Sequence, residues 1–425
     1  MDTQSLPQSL EGWLAHLEHL HPNTIELGLD RVRAVQGQLQ LYPTFPIILV
    51  GGTNGKGSTC AYLEASLLAA GYRVGCYTSP HLIRYNERVR IDGRMLNDTA
   101  LCAGFAAVEA GRTTIALTYF EFGTLAAVWS FSQAKLDVAI LEVGLGGRLD
   151  AVNVFDPAVA IVTTVDLDHQ DYLGDTREQI GYEKAGIFRS HRPAICADAD
   201  PPASLLRSAQ DCGAQLLRID QDFGVRREAE SWTYWGPQGT RAALPFPGMR
   251  GAQQLNNAAA AIAGLDCLRQ QLPVSQANLR AGLLSVRLPG RFQVLPGKPN
   301  FILDVAHNPQ AARILAENLR AQTCSGKTYA VFGMLRDKDI GSVIAALDGL
   351  IDGWYVANLS GPRGASADQL AGLLQSQGQA VLQRATDIAQ AYSFACREAG
   401  EDDRICVFGS FHTVAEALLA HGAKT

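Results

Sequence analysis

The stretch Gly51-Gly52-Thr53-Asn54-Gly55-Lys56-Gly57-Ser58-Thr59 brings glycines, a lysine and hydroxyls together. It follows the apolar run Phe45-Val50, which reads as a buried strand, and precedes Ala61-Leu68, which reads as a helix with one apolar face. A glycine-rich turn in that setting points backbone N–H groups at one centre. The helix N-terminus adds its positive end and Lys56 adds a full charge. The chemistry this suits is cradling the phosphates of a nucleoside triphosphate; the bland reading is a tight turn that happens to hold Gly and Lys. The loop departs from G-x-x-x-x-G-K-[ST] at one place, because Gly57 separates Lys56 from Ser58. The hydroxyl that would meet a metal is displaced by one position. Ser58 or Thr59 takes that role, or the hydroxyl comes from elsewhere.

Other strand ends also carry polar groups. Glu142 closes the run Leu136-Leu141 and is followed by glycines that keep the backbone close to a ligand. Ligands of open parallel sheets bind at that edge; the competing reading of Glu142 is a capping or salt-bridged carboxylate. The strand ending at Val165 runs into Asp166-Leu167-Asp168-His169-Gln170-Asp171, where carboxylates and a histidine suit a hard cation. Lys184 lies on an apolar helical face, either snorkelling to the surface or buried with a lowered pKa. A neutral amine there can add carbon dioxide and become a carbamate, an oxygen ligand. Asp304-Val305-Ala306-His307-Asn308 and Gly409-Ser410-Phe411 again end strands, with helix caps at Asn308 and Ser410 as the plainer alternative.

These residues need elements to place them. Apolar runs at Ile47-Val50, Arg73-Tyr77, Leu136-Leu141, Val159-Val165, Phe301-Val305, Thr328-Phe332, Trp354-Ala357 and Arg404-Phe408 predict buried strands. Amphipathic stretches such as Asp175-Phe188 and Gln310-Ala321 lie between them. The alternation predicts an α/β fold with largely parallel sheets and helices on both faces. Gln221-Gly251 reads as a small antiparallel excursion, Gln254-Gln270 as a helix, and the segment around Pro289 as an interdomain connection. With 425 residues, 47% hydrophobic and 18% charged, the chain suits a soluble globular protein of more than one domain. A net charge of −6 gives no reason to expect nucleic acid or an anionic membrane as partner, and no apolar run approaches a membrane span. The first Lys or Arg is Arg31, so no basic region of a signal peptide is expected. Nine scattered cysteines without C-x-x-C imply reduced thiols, with Cys76, Cys102, Cys267 and Cys406 as core fillers. Cytoplasm and a monomer are the expectations.

Several separated motifs then agree. GTNGKGS at Gly52-Ser58, TSPHL at Thr78-Leu82, LTYFEFGTL at Leu117-Leu125 and EVGLGGRLDAVN at Glu142-Asn153 occur in order. DHQDYLG at Asp168-Gly174, EKAGIF at Glu183-Phe188, LPGRF at Leu288-Phe292 and DVAHNP at Asp304-Pro309 follow. Together they resemble the folate branch of the Mur ligase superfamily, nearly end to end. The resemblance implies a P-loop parallel-sheet ATPase and pterin-binding domain over residues 1–289. A C-terminal dinucleotide-fold-like α/β domain, the glutamate-ligase domain, follows over 290–425. It implies ATP-dependent amide formation through an acyl phosphate, with ATP and two Mg²⁺ sites. The substrates implied are dihydropteroate, reduced folates and L-glutamate.

Carried over by position, Thr53, Asn54, Gly55, Lys56, Gly57 and Ser58 would hold phosphates, with Asn257, Arg291 and Asp304 on the nucleotide. Ser79 and Glu142 would ligate one magnesium and His169 a second. Lys184 occupies the family's carbamylated position, an N6-carboxylysine. Lys56, Lys184 and His307 are the catalytic candidates, and Ser410, like His307, would lie near the incoming glutamate. Glu26, Leu27, Gly28 and Leu29, with the preceding Thr24 and Ile25, resemble the dihydropteroate-binding stretches of bifunctional members, as do Thr118, Tyr119, Phe120 and Glu121. Leu149, Asp150 and Ala151 complete that match. Tyr119, Phe120 and Phe122 are expected to offer apolar faces to a flat ring, and a carboxylate to pair with its N–H edge. The alternatives are an enzyme that only extends the glutamate chain of reduced folates, a cell-wall amino-acid ligase of the same superfamily, or a P-loop kinase or regulatory ATPase.

Overall fold

The computed structural model describes residues 6–23 and 25–422. They divide into two compact units. The first comprises residues up to Asp166, Gln170–Pro247 and Leu255–Val286. The second comprises Leu167–His169, Gly248–Gln254 and the chain from Arg287 onward.

The first unit is built on an eight-stranded sheet. In chain order its strands are β1 (Ile47–Gly51), β2 (Val74–Tyr77), β3 (Val89–Ile91), β4 (Arg94–Met95), β5 (Val138–Glu142), β6 (Val159–Val162), β7 (Pro193–Cys196) and β8 (Gln215–Arg218). In space they run β4-β3-β2-β5-β1-β6-β7-β8. From β2 through β8 neighbouring strands are parallel, and only the β2–β3 and β3–β4 pairs are antiparallel. Every residue of β1, β2, β5 and β6 is buried. That is why these strands read as unbroken apolar runs: helices cover both faces of a parallel sheet. The edge hairpin β3–β4 and the strands β7 and β8 are absent from the sequence expectation, being short or only partly buried.

One face of the sheet carries a large apolar cluster. The helix Tyr119–Gln133 is buried nearly all round and packs Phe122 against Trp13 and Phe105. Each such side chain contributes roughly 1.5–3 kcal/mol through burial. Phe122 is fully buried in this core and has no face left for a ligand, which corrects the sequence expectation. The antiparallel excursion forms a separate three-stranded sheet of β9 (Gly224–Arg227), β10 (Trp232–Gly236) and β11 (Gly239–Leu244). The helix Gln253–Cys267 follows it.

The second unit holds a six-stranded sheet. Its strands are β12 (Gln293–Leu295), β13 (Asn300–Leu303), β14 (Thr328–Phe332), β15 (Gly353–Ala357), β16 (Val381–Ala385) and β17 (Arg404–Phe408), in the order β12-β13-β17-β14-β15-β16. All pairs are parallel except β12–β13. A second apolar cluster, around Phe332, Trp354 and Phe408, fills it. The nine cysteines are free thiols. Cys76 and Cys406 are buried, whereas Cys102 and Cys267 are only partly so.

Candidate functional site

Strand register brings the first unit's chemistry to one edge. Val50 pairs with Glu142, Leu141 with Tyr77, and Gly51 with Val162. The C-terminal ends of four neighbouring parallel strands therefore release the glycine loop, Thr78-Ser79, Glu142 and Thr163-Thr164 side by side.

The loop is stitched to the end of β6. Thr53 N–H donates to Thr164 O (2.7 Å), Asn54 N–H to Thr164 Oγ1 (3.2 Å), and Thr163 Oγ1 to Asn54 O (2.6 Å). Thr53 Oγ1 donates to Asp166 O and accepts from Asp166 N–H. Gly55 caps the helix Lys56–Ala69 in the left-handed region, φ 91°. A Cβ there would lie 2.5 Å from Asn257 Oδ1, so the loop and the buried Asn257 fit only around a glycine. The Lys56 ammonium donates to Gly52 O (3.0 Å) and Thr53 O (3.1 Å), folded over its own loop. Phosphate-binding residues proposed from motif alone are thus gathered at one helix N-terminus.

The displaced loop hydroxyl has a structural counterpart. Thr59 is fully buried, and its hydroxyl is sealed without a hydrogen-bond partner among the described residues. It cannot reach a ligand outside the fold. One strand away, Ser79 N–H donates to Glu142 Oε2 at 3.0 Å, so Ser79 and a carboxylate are brought together beside the loop. Hard oxygen donors of this kind suit Mg²⁺, which takes one or two protein carboxylates and fills its sphere with phosphate and water. The residues present fit a magnesium carried in with phosphate.

Lys184 is buried, 4% exposed, near the C-terminus of the helix Arg177–Ala185. The glycine segment after Glu142 packs against that helix end. A Cβ on Gly147 would come within 2.9 Å of both Glu183 O and Lys184 O. Arg148 N–H donates to Glu183 O (2.8 Å), and Asn153 Nδ2 donates to Gly186 O (3.0 Å). The buried alternative for Lys184 holds over the snorkelling one.

The three pteroate-type stretches also meet. Gly28 N–H donates to Leu149 O (3.3 Å). Thr118 and Glu121 form a reciprocal cap on the helix Tyr119–Gln133. Glu121 is 3% exposed, and it also accepts from Arg31 Nη2 at 2.9 Å. Its oxygens are taken by these partners, so it is not the carboxylate for a heterocycle edge. Asp150 is buried, and accepts from Leu145 N–H (2.8 Å) and Val152 N–H (3.0 Å). Burial pushes its pKa up to about 7, against the pull of those amides and of Lys56. Phe120 lies tilted on Tyr77 at 5.9 Å, and the Arg88 guanidinium sits 5.5 Å from the Tyr119 ring centre. Leu149 is 39% exposed, whereas Ala151 is buried. Thr24 lies outside the described residues.

In the second unit, Asp304 accepts from Phe292 N–H (2.9 Å) and Ala306 N–H (2.8 Å), which fixes the turn that carries Arg291. Burial raises the Asp304 pKa, opposed by the Arg291 charge. Arg291 lies 5.3 Å from the Phe411 ring centre. Ser410 is buried as the N-cap of the helix Phe411–Ala420, bonded to Thr413. Asn308 caps the helix Pro309–Ala321. His169, at φ 53°, and Asp168 belong to this unit. Asp168 takes Lys338 Nζ at 2.5 Å and Asn308 Nδ2 at 3.2 Å, with His307 Nε2 at 3.6 Å. Burial disfavours its charge, but the hydrogen bond and charge of His307, with His169 and Lys338, hold its pKa far below the carboxylate range. His307 Nδ1 is bonded to Val305 O (2.8 Å), which leaves Nε2 toward Asp168.

Sequence reasoning missed Thr163, Thr164, Arg31 and Lys338. The two threonines had a signal, a pair of hydroxyls ending an otherwise apolar strand. Arg31 and Lys338 had none, because only folding brings their partners near.

Comparisons agree with this fold. The family model for the Mur ligase middle domain matches residues 50–265, and that for the Mur ligase glutamate ligase domain matches 290–411. The chain is 47% identical over 423 residues to the dihydrofolate synthase/folylpolyglutamate synthase of Escherichia coli K12, covering 99% of this chain and 98% of that protein. It superposes on E. coli FolC solved with DHPP and ADP at TM-score 0.92, with 47% identity and coverage of 97% and 98%. A bifunctional folylpolyglutamate synthase/dihydrofolate synthase with Mn, AMPPNP and L-glutamate bound gives 0.91, at 49% identity and coverage of 99% and 100%.

Proposed function

The chain belongs to the Mur ligase family, in its dihydrofolate synthase/folylpolyglutamate synthase branch. On that premise we infer that it is an ATP-dependent ligase joining L-glutamate to dihydropteroate and further glutamates to reduced folates. The observation that carries the bifunctional reading is the meeting of Glu26–Leu29, Thr118–Glu121 and Leu149–Ala151 in the first unit. A Mur-type ligase for cell-wall precursors has no need of that assembly, and neither has a kinase.

The chemistry follows from the reactants. A carboxylate is a poor electrophile at neutral pH. Transfer of the ATP γ-phosphoryl group to it gives an acyl phosphate, and the glutamate amine then displaces phosphate through a tetrahedral intermediate. The chain's task is positioning and charge compensation. The segment Thr53–Ser58 would receive the phosphates through the backbone N–H groups of its helix N-terminus, with Thr53 and Asn54 held in place by their own N–H bonds to Thr164, and Lys56 would swing from Gly52 O and Thr53 O onto them. Asn257, packed on Gly55, would steady the nucleotide, as would Arg291 on the turn held by Asp304. Ser79 and Glu142 would hold one magnesium and His169 another; the metal supplies charge neutralisation of the phosphates. A carbamate on Lys184 would turn a buried cation into an oxygen ligand, and a buried ammonium is costly to keep charged. His307 would face the incoming glutamate, with Ser410 serving through the helix N-terminus that it caps.

The assay is ADP release with dihydropteroate, magnesium and L-glutamate. We expect ADP only when all three are present, with dihydrofolate as product. Full ADP release without any amino acid would refute a ligase. Turnover with tetrahydrofolates but not dihydropteroate would restrict the enzyme to chain extension. The compartment is expected to be cytoplasmic and the enzyme monomeric. Among the described residues no helix is long and apolar enough to cross a membrane.

A further inference from the structure

We propose that Arg31, which no motif singles out, is a positioning residue that sets acceptance of the pteroate substrate. It does so by locking two remote walls of that site together. Its guanidinium faces two ways. Nε and Nη2 fork onto Glu121 at 2.9–3.3 Å, and Nη1 and Nη2 reach Glu26 Oε1 (2.5 Å) and Glu26 O (2.9 Å). Glu121 is 90 residues away in sequence and heads the helix that presents Tyr119 and Phe120. Glu26 opens the irregular segment Glu26–Leu29, whose Gly28 is tied to Leu149 O. That segment has no helix or strand of its own. Its C-terminal end is held by Leu29, which is buried and caps the helix Asp30–Gln38, and by the Gly28 amide; at its N-terminal end Glu26 is held by the Arg31 fork.

Glu26 is 38% exposed at its side chain, and its other partners are Asn23 and His21 from the same stretch. Those contacts shape the stretch without fixing it to the sheet. Arg31 sits in the first turn of the helix Asp30–Gln38, whose buried Val32 and Val35 pack into the core. It therefore passes the rigidity of the core to the loop. A planar five-donor fork can serve both carboxylates at once; an ammonium cannot. Loss of the fork lets the segment move, and a site loosened by about 1 Å loses affinity for the ligand it shaped. Arg31 acts through Glu26 and Glu121 and is not a catalytic residue.

The inference rests on the bifunctional reading above, and the test separates the two. Arg31→Gln and Arg31→Lys are assayed with dihydropteroate, ATP and L-glutamate, alongside thermal denaturation. For Arg31→Gln the expected result is a rise of about tenfold or more in KM for dihydropteroate, the effect of about one charge-assisted hydrogen bond. KM for ATP should stay within about twofold, and kcat should change less than KM. Arg31→Lys should recover part of the loss. Glu26→Gln, at a partly exposed position that leaves Glu121 paired, should raise the same KM if Arg31→Gln folds poorly. Unchanged dihydropteroate KM in these variants overturns the inference while the wild-type activity stands. So does an equal decline of every kinetic constant together with melting temperature, which marks a structural role alone. A wild-type chain inactive with dihydropteroate overturns the bifunctional reading itself.

Discussion

Ser79 donates its backbone N–H to Glu142 Oε2 at 3.0 Å, across 63 residues of sequence. The bond joins the ends of β2 and β5, next to the phosphate-type loop. It brings together, beside a loop whose own hydroxyl is displaced by Gly57, the two residues proposed to hold a magnesium. Ser79 and Glu142 come from the ends of adjacent strands, and the Thr59 hydroxyl stays sealed in the fold.

Glu142→Gln keeps an oxygen for the Ser79 amide but removes the charge. Activity should fall by on the order of 10²-fold, and the magnesium concentration needed for half-maximal rate should rise. Melting temperature should change little. Wild-type magnesium dependence in this variant would remove Glu142 from the metal site.

Lys184→Ala should lose activity to a similar degree, on the order of 10²-fold, and regain part of it when acetate or another small carboxylate is added. The carboxylate would stand in for the carbamate oxygens. A fully active variant that ignores acetate would rule out the carbamate.

Gly55→Ala places a methyl group 2.5 Å from Asn257 Oδ1 at φ 91°. The strain should cost roughly 1–3 kcal/mol, and nucleotide binding should weaken before dihydropteroate binding does. Calorimetric titration with ADP, beside a denaturant melt, checks both.

Asp150 supplies a pH signature. Its folded pKa is raised by burial to about 7, above the ordinary aspartate value of about 3.9. Between those values the folded state binds the extra proton, so stability falls as pH rises through the window and levels above it. Asp150→Asn lacks this dependence. Its melting temperature relative to wild type should improve from about pH 4 to about pH 7 and then stay flat. A constant difference across that range would contradict the raised pKa.

Much of this was legible in the residues. Buried parallel strands are unbroken apolar runs because both faces are covered, so β1, β5, β14 and β17 stand out. The exposed or partly buried strands β4, β8 and β16 carry no such run and were missed. Phe122 and Glu121 show the opposite error. An aromatic and a carboxylate beside a ligand-type motif looked available, yet one fills the core and the other completes a helix cap and an ion pair.

By itself the sequence determined local chemistry: a glycine loop before a helix, polar residues at strand ends, and motifs that name a family. Those depend on neighbours a few positions away. Tertiary structure decided which groups are spent and which remain available. Strand register set Ser79 against Glu142, and folding delivered Arg31 to Glu121 and Lys338 to Asp168. Such pairings arise from packing between segments far apart in the chain, and a side chain's hydrogen-bonding capacity is committed only when its distant partner arrives.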